Sequence, residues 1–544
     1  FFRVRRDRHR SEILAYLCRF TRHRHLLCCV EGSGHSPSPM RRPSSPSPNK
    51  GVLVSARETQ SVDTPRRSAL ARPVKKPPAT LDLESPTEER ELQRGLTNRH
   101  LQLIALGGAI GTGMFMGSSS TIHLAGPSSA LVYALIGFFL YFMMRALGEM
   151  LLSNLNYKSF RDIAEDLLGP AGGFIAGWTY WFSWIVAAMG DMAAITAYFQ
   201  YWWPNIPKWL PATALAAVLP ALNIIAVQFF GEAEFWFALI KLIAVGALVI
   251  VAIALLASRF VSPDGDPATI ANLWNDGGFF PNGLMGFLGG FQIAFFAFVG
   301  IELVGTAAAE TKDPCTTLPK AINAIPVRLA LFYVFALLAI TAVIPWRKVV
   351  PGVSPFVSLF GLAGFGAAAS VMNFVLLTAA ASSDNSGLYS TSRMMYGLAL
   401  DGQAPSRFRK LSSNNVPRNA LVASCLLLLS GITFLYTSDS IMQAFALVTT
   451  VAALLFLFTW SLIVVCYIVY RRKRPQLHEE SIYKMPGGVP MCWVVLAFFT
   501  ISLVILTLDP TTRIAVLITP IWFAFIGSMY FVHHRHEQRK EALR

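Results

Sequence analysis

Three ionisable side chains sit in runs that otherwise suit lipid: Asp191 in AAMGDMAAITAY, Lys241 in EFWFALIKLIAVGALV and Glu302 in GFLGGFQIAFFAFVGIELVGTAAAE. A charge at bilayer depth costs at least a few kcal/mol, so each marks a functional position by default. A second feature is the glycine-dense stretch ALGGAIGTGMFMGSS, Ala105 to Ser119, inside another apolar run. Glycine costs about 1 kcal/mol relative to alanine in a helix, and unwound backbone persists at that depth only where it lines a protein-enclosed or watery cavity. The spacings Gly107-x-x-x-Gly111 and Gly113-x-x-x-Gly117 taken alone suit close helix packing equally well. The run from Gly286 to Glu310, also interrupted by glycines, tips the balance toward unwinding. Interrupted helices at matching positions of two halves point to inverted repeats with a ligand held at the midplane between them.

Such a break has its own chemistry. Around Ile110, the N–H groups of Gly111, Thr112 and Gly113 open a half-helix at its positive end, which suits a carboxylate. The carbonyls of Ala109 and, in the later run, Phe296 and Val299 are expected to be free to accept from an ammonium. A zwitterionic amino acid fits both ends, with Asp191 a further candidate near its amine. Lys241 has two readings. Trp236 could mark the interface, leaving the lysine about 7–8 Å deep by helical rise and able to snorkel; or its ammonium is buried, donates to carbonyls freed at the first break, and carries a coupling proton. Glu302 would accept from the substrate amine or hold the later break, in a gating or proton-linked role. Arg145 and Glu149, four apart on one helix face, read as a structural pair or an inner gate.

The elements that must position these groups are membrane helices. Of 544 residues 54% are hydrophobic and 14% charged, and mean hydropathy is +0.48, which an ordinary soluble domain does not combine. Runs of about 20 apolar residues span a bilayer, and twelve are expected: 101–122, 128–152, 172–200, 210–229, 234–257, 284–308, 326–345, 356–382, 420–437, 441–470, 491–508 and 514–532. The expected fold is thus all-α and integral to the membrane, with five-plus-five inverted repeats and discontinuous helices 1 and 6. Residues 1–90 form an expected disordered basic tail, 91–533 the helical domain, and 534–544 a C-terminal tail. Loops on one side carry Lys158, Arg161, Lys312, Lys320, Arg328, Arg393, the RRKR of 471–474 and Lys484, which predicts cytoplasmic termini at both ends. The net charge of +15 is no argument for a nucleic-acid partner. Residues 1–80 hold 17 Lys and Arg against 5 Asp and Glu, and the remainder is nearly balanced. Seven cysteines lack metal or disulfide spacing. Neither HExxH, GxSxG nor paired intramembrane histidines are present, which argues against an enzyme.

Longer motifs carry a resemblance. LTNRHLQLIALGGAIGTGMFMGS, NYKSFRDIAEDLLGP, GWTYWFSWIV, FGEAEFWFALIK, FFAFVGIELVGTAAAETKDP and SSDNSGLYSTSRMMYGLA resemble the amino acid permeases of the amino acid–polyamine–organocation superfamily, over about residues 92 to 533. LLSNLNYKSF, LWNDGGFFPNGL and HEESIYKMP are most similar to its members that carry D-serine, D-alanine and glycine. The resemblance implies proton-coupled import of small neutral amino acids across a bacterial cytoplasmic membrane, with the proton as coupling ion, no cofactor or metal, and no obligate partner beyond substrate and lipid. It also supports substrate roles for Ala109, Thr112, Gly113, Phe296 and Val299, a proton-linked role for Lys241 and gating by Glu302. An aromatic amino acid or 4-aminobutyrate permease, or a proton-independent exchanger, is the alternative. Asp384 in SSDNSG departs from the pattern, where a small or uncharged residue is expected.

Overall fold

The computed structural model describes residues 102, 106–225, 230–306, 311, 313–364, 366–412 and 416–542. The expected tail, 1–90, lies outside them. Among the described residues every regular element is a helix, and an isolated bridge joins Val261 to Pro267.

In chain order the helices are α1 Thr112–Phe115, α2 Gly117–Ala125, α3 Ser129–Ser153, α4 Phe160–Leu168, α5 Pro170–Gln200, α6 Trp209–Ile225, α7 Phe230–Ala257, α8 Gly283–Gly289, α9 Phe291–Ala294, α10 Leu303–Thr306, α11 Pro314–Val343, α12 Pro355–Leu362, α13 Gly366–Leu400, α14 Arg418–Leu428, α15 Ile432–Thr437, α16 Ile441–Lys473, α17 Pro475–Glu480, α18 Gly488–Ile505 and α19 Pro510–Ala542. Ten stretches among the described residues are long and apolar enough to cross a membrane. Two expected runs do not stand as separate stretches among the ten. The first is broken at Ile110–Gly111, and its second half continues through the tight turn Gly126–Ser128 into α3, so that Gly117–Ser153 reads as one stretch. The fourth contains α6, 17 residues long.

Burial divides the helices into an inner and an outer set. In α5, 83% of the apolar window is buried, against 28% for α18 and 17% for the window in α19. Ile501, Val504, Leu517 and Ile521 on those outer helices are exposed, as lipid-facing positions must be. The inner helix α5 packs against α13 and α16, while α3 packs against α11, and α7 lies against both α11 and α13. The loop helix α4 forms for local reasons. Ser159 accepts from the Arg161 N–H, Asp162 accepts from the Ser159 N–H, and Phe160, Ile163, Ala164 and Leu167 bury one face.

Both expected breaks are present. Leu106 to Ala109 is helical, Ile110 and Gly111 bend away with Gly111 extended, and α1 starts at Thr112. In the later run α8, α9 and a 3-10 turn at Phe295–Phe298 lead to Val299, where the backbone leaves the helical region; Gly300 takes φ +100°, and helix resumes at Leu303.

Candidate functional site

The two breaks touch through backbone, and two glycines permit it. A Cβ on Gly113 would lie 2.6 Å from both the N and the Cα of Ala297. A Cβ on Gly300 would lie 2.8 Å from the carbonyl carbon of Gly108, in a positive-φ conformation that side chains disfavour. Tyr333 on α11 joins them a third time. Its hydroxyl stands 3.1 Å from the Ala109 carbonyl and 2.8 Å from that of Ala297.

Lys241 is 1% exposed and donates to the Gly107 carbonyl and to Ser382 Oγ at 3.0 Å. The snorkelling alternative is therefore corrected: the lysine reaches inward to the first break. Ser382 in turn donates to Glu234 Oε1 at 2.6 Å, and Ser383 donates to the Gly108 carbonyl at 3.2 Å. Helix α13 thereby joins the lysine, a buried glutamate and the unwound segment into one polar cluster. Asp191, 2% exposed on α5, accepts from the Thr112 hydroxyl. The Phe296 ring tip lies 3.8 Å from where a Cβ on neighbouring Gly190 would stand, and the ring meets Phe445 edge-on at 6.1 Å. Ala109, Ile110, Gly111, Thr112, Gly113, Asp191, Lys241, Phe296 and Val299 are all buried around this crossing.

Three expectations are corrected in detail. The Ala109 carbonyl is not free, since it accepts from the Gly111 N–H at 3.0 Å and has the Tyr333 hydroxyl beside it. Phe296 likewise accepts a long 3.3 Å bond from the Val299 N–H; a carbonyl has two lone pairs, so one remains. Arg145 and Glu149 do not pair with each other. Arg145 donates to Asn323 Oδ1 at 2.7 Å and to the Lys484 carbonyl, and its guanidinium lies 3.8 Å over the Tyr483 ring. Glu149 accepts from the Tyr467 hydroxyl and the Met485 N–H, both at 2.7 Å, and meets His478 Nδ1 at 2.5 Å. Both residues clamp the segment 478–485 onto α3.

Glu302, 0% exposed, stands apart from the lysine cluster. Oε1 accepts from the Tyr180 hydroxyl at 3.3 Å; Oε2 accepts from Trp460 Nε1 at 3.2 Å and the Gly300 N–H at 3.3 Å. It fastens the later break to α5 and α16. Outside the membrane helices, Arg161 is ion-paired with Asp162, Glu165 and Asp401, and burial lifts the Glu165 carboxyl above its ordinary range against the pull of that arginine.

The sequence reading missed Glu234, Ser382, Ser383 and Tyr333. Glu234 had a signal: it lies seven residues, two turns, before Lys241 and so on the same face. The serines of SSDNSG were quoted without a role.

The amino acid permease family model matches residues 100–543. This chain belongs to the amino acid permease family. The permease is 58% identical over 446 residues to the D-serine/D-alanine/glycine transporter of Escherichia coli strain K12, covering 82% of this chain and 95% of that one. It is 49% identical to the amino-acid permease AapA of Bacillus subtilis, over 82% of this chain and 96% of the relative. It is also 38% identical to the aromatic amino acid transport protein AroP of Escherichia coli, over 82% and 97%. These relatives are named as transporters or permeases, and the chain is a multi-pass membrane protein of that family.

Proposed function

We propose that this permease imports small neutral amino acids, D-alanine, D-serine and glycine, together with a proton across a bacterial cytoplasmic membrane. The observation that carries the reading is the crossing of the two broken helices, with the buried Lys241 ammonium on the first. The 58% identity to a transporter of that named specificity supports the substrate class. In this reading twelve spans are arranged as five-plus-five inverted repeats followed by two more; the broken first run and α6 supply the spans beyond the ten stretches. Basic loops put both termini in the cytoplasm.

The substrate carboxylate docks on the N–H groups of Thr112 and Gly113 at the start of α1, where backbone donors have no partner within the helix; the Gly111 N–H, expected to join them, is taken by the Ala109 carbonyl. Its ammonium takes the Val299 carbonyl, to which no donor is bonded among the described residues, and the second lone pair of Phe296. Phe296 covers the site with its ring and favours small side chains. Asp191, expected near the amine, accepts from the Thr112 hydroxyl and so stands at the carboxylate end, where its charge state sets how readily that end takes an anion. Lys241 carries the coupling proton: protonated, it makes charge-assisted bonds to the Gly107 carbonyl and Ser382 and so holds the unwound segment; deprotonated, it keeps two N–H donors but loses the charge that makes those bonds strong. Glu302 gates by fixing the later break. No metal or cofactor enters.

The test is uptake of labelled D-alanine and glycine into proteoliposomes, with and without an inward proton gradient, competed by L-alanine, D-serine, phenylalanine and 4-aminobutyrate. Gradient-driven accumulation blocked by D-serine is the expected result. Uptake blocked only by phenylalanine would move the assignment to the aromatic class of the 38% relative, and uptake indifferent to the gradient would make the protein an exchanger.

A further inference from the structure

Asp384 lies in α13 next to Ser382 and Ser383, the two serines that tie this helix to the first break. It is 1% exposed, and neither of its carboxyl oxygens has a hydrogen-bond partner. A buried oxygen left so is unfavourable, and more so if charged. Helix α13 packs along α5, and Asp191 on α5, bonded to Thr112, and Ser383 beside Asp384, bonded to the Gly108 carbonyl, meet the same short segment; the two carboxyls face each other there. The other titratable groups that reach the two carboxyls are Lys241 on α7, the Cys425 thiol on α14 beside Asp384, and the Tyr198 hydroxyl on α5 beside Asp191. Glu234 is coupled in turn to Lys241.

One ammonium therefore faces three buried carboxyls. If Asp191 and Asp384 were both ionised, two like charges would stand side by side out of water, opposed by both repulsion and desolvation. Thr112 relieves only Asp191, by donating to its Oδ1. A single proton changes the balance: it cancels one charge and turns the repulsion into a charge-assisted O–H to carboxylate hydrogen bond. It also gives Asp384 the partner it lacks.

We propose that Asp191 and Asp384 hold one proton between them, so that this carboxyl pair is a proton-binding site beside the first break, additional to Lys241. The inference deepens the proton-coupled reading above and rests on it only for the use to which the proton is put. Because the pair adjoins Thr112, which opens α1, its protonation is felt at the N–H groups assigned to the substrate carboxylate.

The test is infrared spectroscopy of the full-length protein in lipid nanodiscs, without substrate, at neutral pH. The C=O stretch of a protonated carboxyl is compared in the unaltered chain, Asp384→Asn, Asp191→Asn and the double variant. A shared proton predicts that each single variant loses the same band and that the double variant loses no more, since removing either partner lets the other ionise. Separate losses that add in the double variant, or no loss in either single variant, would overturn the pair. Asp384→Glu, which keeps both carboxyls, should retain a shifted band; its disappearance would also count against the pair. If Asp384→Asn does not yield monodisperse protein, Asp384→Ala is subject to the same expectation. D-alanine uptake against pH separates the two readings: a shared band together with uptake indifferent to the gradient leaves the pair standing and removes only the coupling.

Discussion

The two breaks cross at the centre of the molecule, and each has a buried ionisable group beside it, but they are finished differently. At the later break Glu302 is satisfied by donors from α5, from α16 and from the break itself. At the first break Lys241 divides its ammonium between a carbonyl and a serine, the second oxygen of Glu234 has no partner, and Asp384 has none on either oxygen. Buried polar groups are ordinarily paired; hydroxyls elsewhere are left short too, but at the first break the unpaired atoms belong to carboxyls clustered around one ammonium, a grouping that suits a ligand or a proton. The sequence marks both breaks with the same signs, glycine and a charge. Only their partners separate a fixed support from a working site.

Substitutions at the two breaks should expose that difference. The largest effect is expected where they meet. Gly113→Val forces a side chain into the backbone of Ala297, which has no flexible end to move aside; overpacking of this kind costs about 1–3 kcal/mol or more. Loss of the monodisperse peak in size-exclusion chromatography is the expected result, and a folded, transporting variant would show that the helices do not cross so closely.

Next comes Lys241→Ala, which leaves the Gly107 carbonyl and Glu234 without their cation, a change of about 3–5 kcal/mol for a buried ionic group. Accumulation driven by a proton gradient should vanish while substrate counterflow persists, both measured in the same vesicles. Normal accumulation would strip the first break of its coupling role.

Thr112→Val is a smaller change. It removes the donor to Asp191 and leaves that oxygen bare, worth about 1–3 kcal/mol, or roughly 5- to 150-fold in D-alanine affinity by calorimetry. Unchanged affinity would place the substrate away from α1.

Glu302→Gln should change least. The amide oxygen still accepts from Trp460 and Gly300, so uptake within about threefold of the unaltered chain is expected. Should Glu302→Gln instead abolish accumulation as Lys241→Ala does, the later break is a proton site too, and the contrast between the two regions fails.

Much of the fold was legible because a bilayer allows few solutions. Apolar runs must be helices, glycine runs within them must be enclosed, and charges within them must face inward. Lys241, Asp191, Glu302 and the segment around Gly111 were visible on those grounds. What stayed hidden depends on partners distant in the chain. The i,i+4 spacing of Arg145 and Glu149 suggested that they pair, but tertiary partners from α11, α16 and the segment 478–485 claim both. The Ala109 carbonyl was expected to be free because a local pattern shows an unwound turn but not the tyrosine brought in from 224 positions later. Asp384 stood out as an odd residue, while its closeness to Asp191 emerged only once α5 and α13 were packed together.

Tyr333 has one further consequence. A hydroxyl has a single hydrogen, and this one is placed between two acceptors on two different helices. When it points to Ala297, the Ala109 carbonyl keeps only its bond from Gly111 and has a lone pair to offer an incoming ammonium; when it turns to Ala109, that offer is withdrawn. The turn is a rotation about one C–O bond and moves no backbone. One hydrogen on Tyr333 is thus shared between the two broken helices, and can satisfy only one of them at a time.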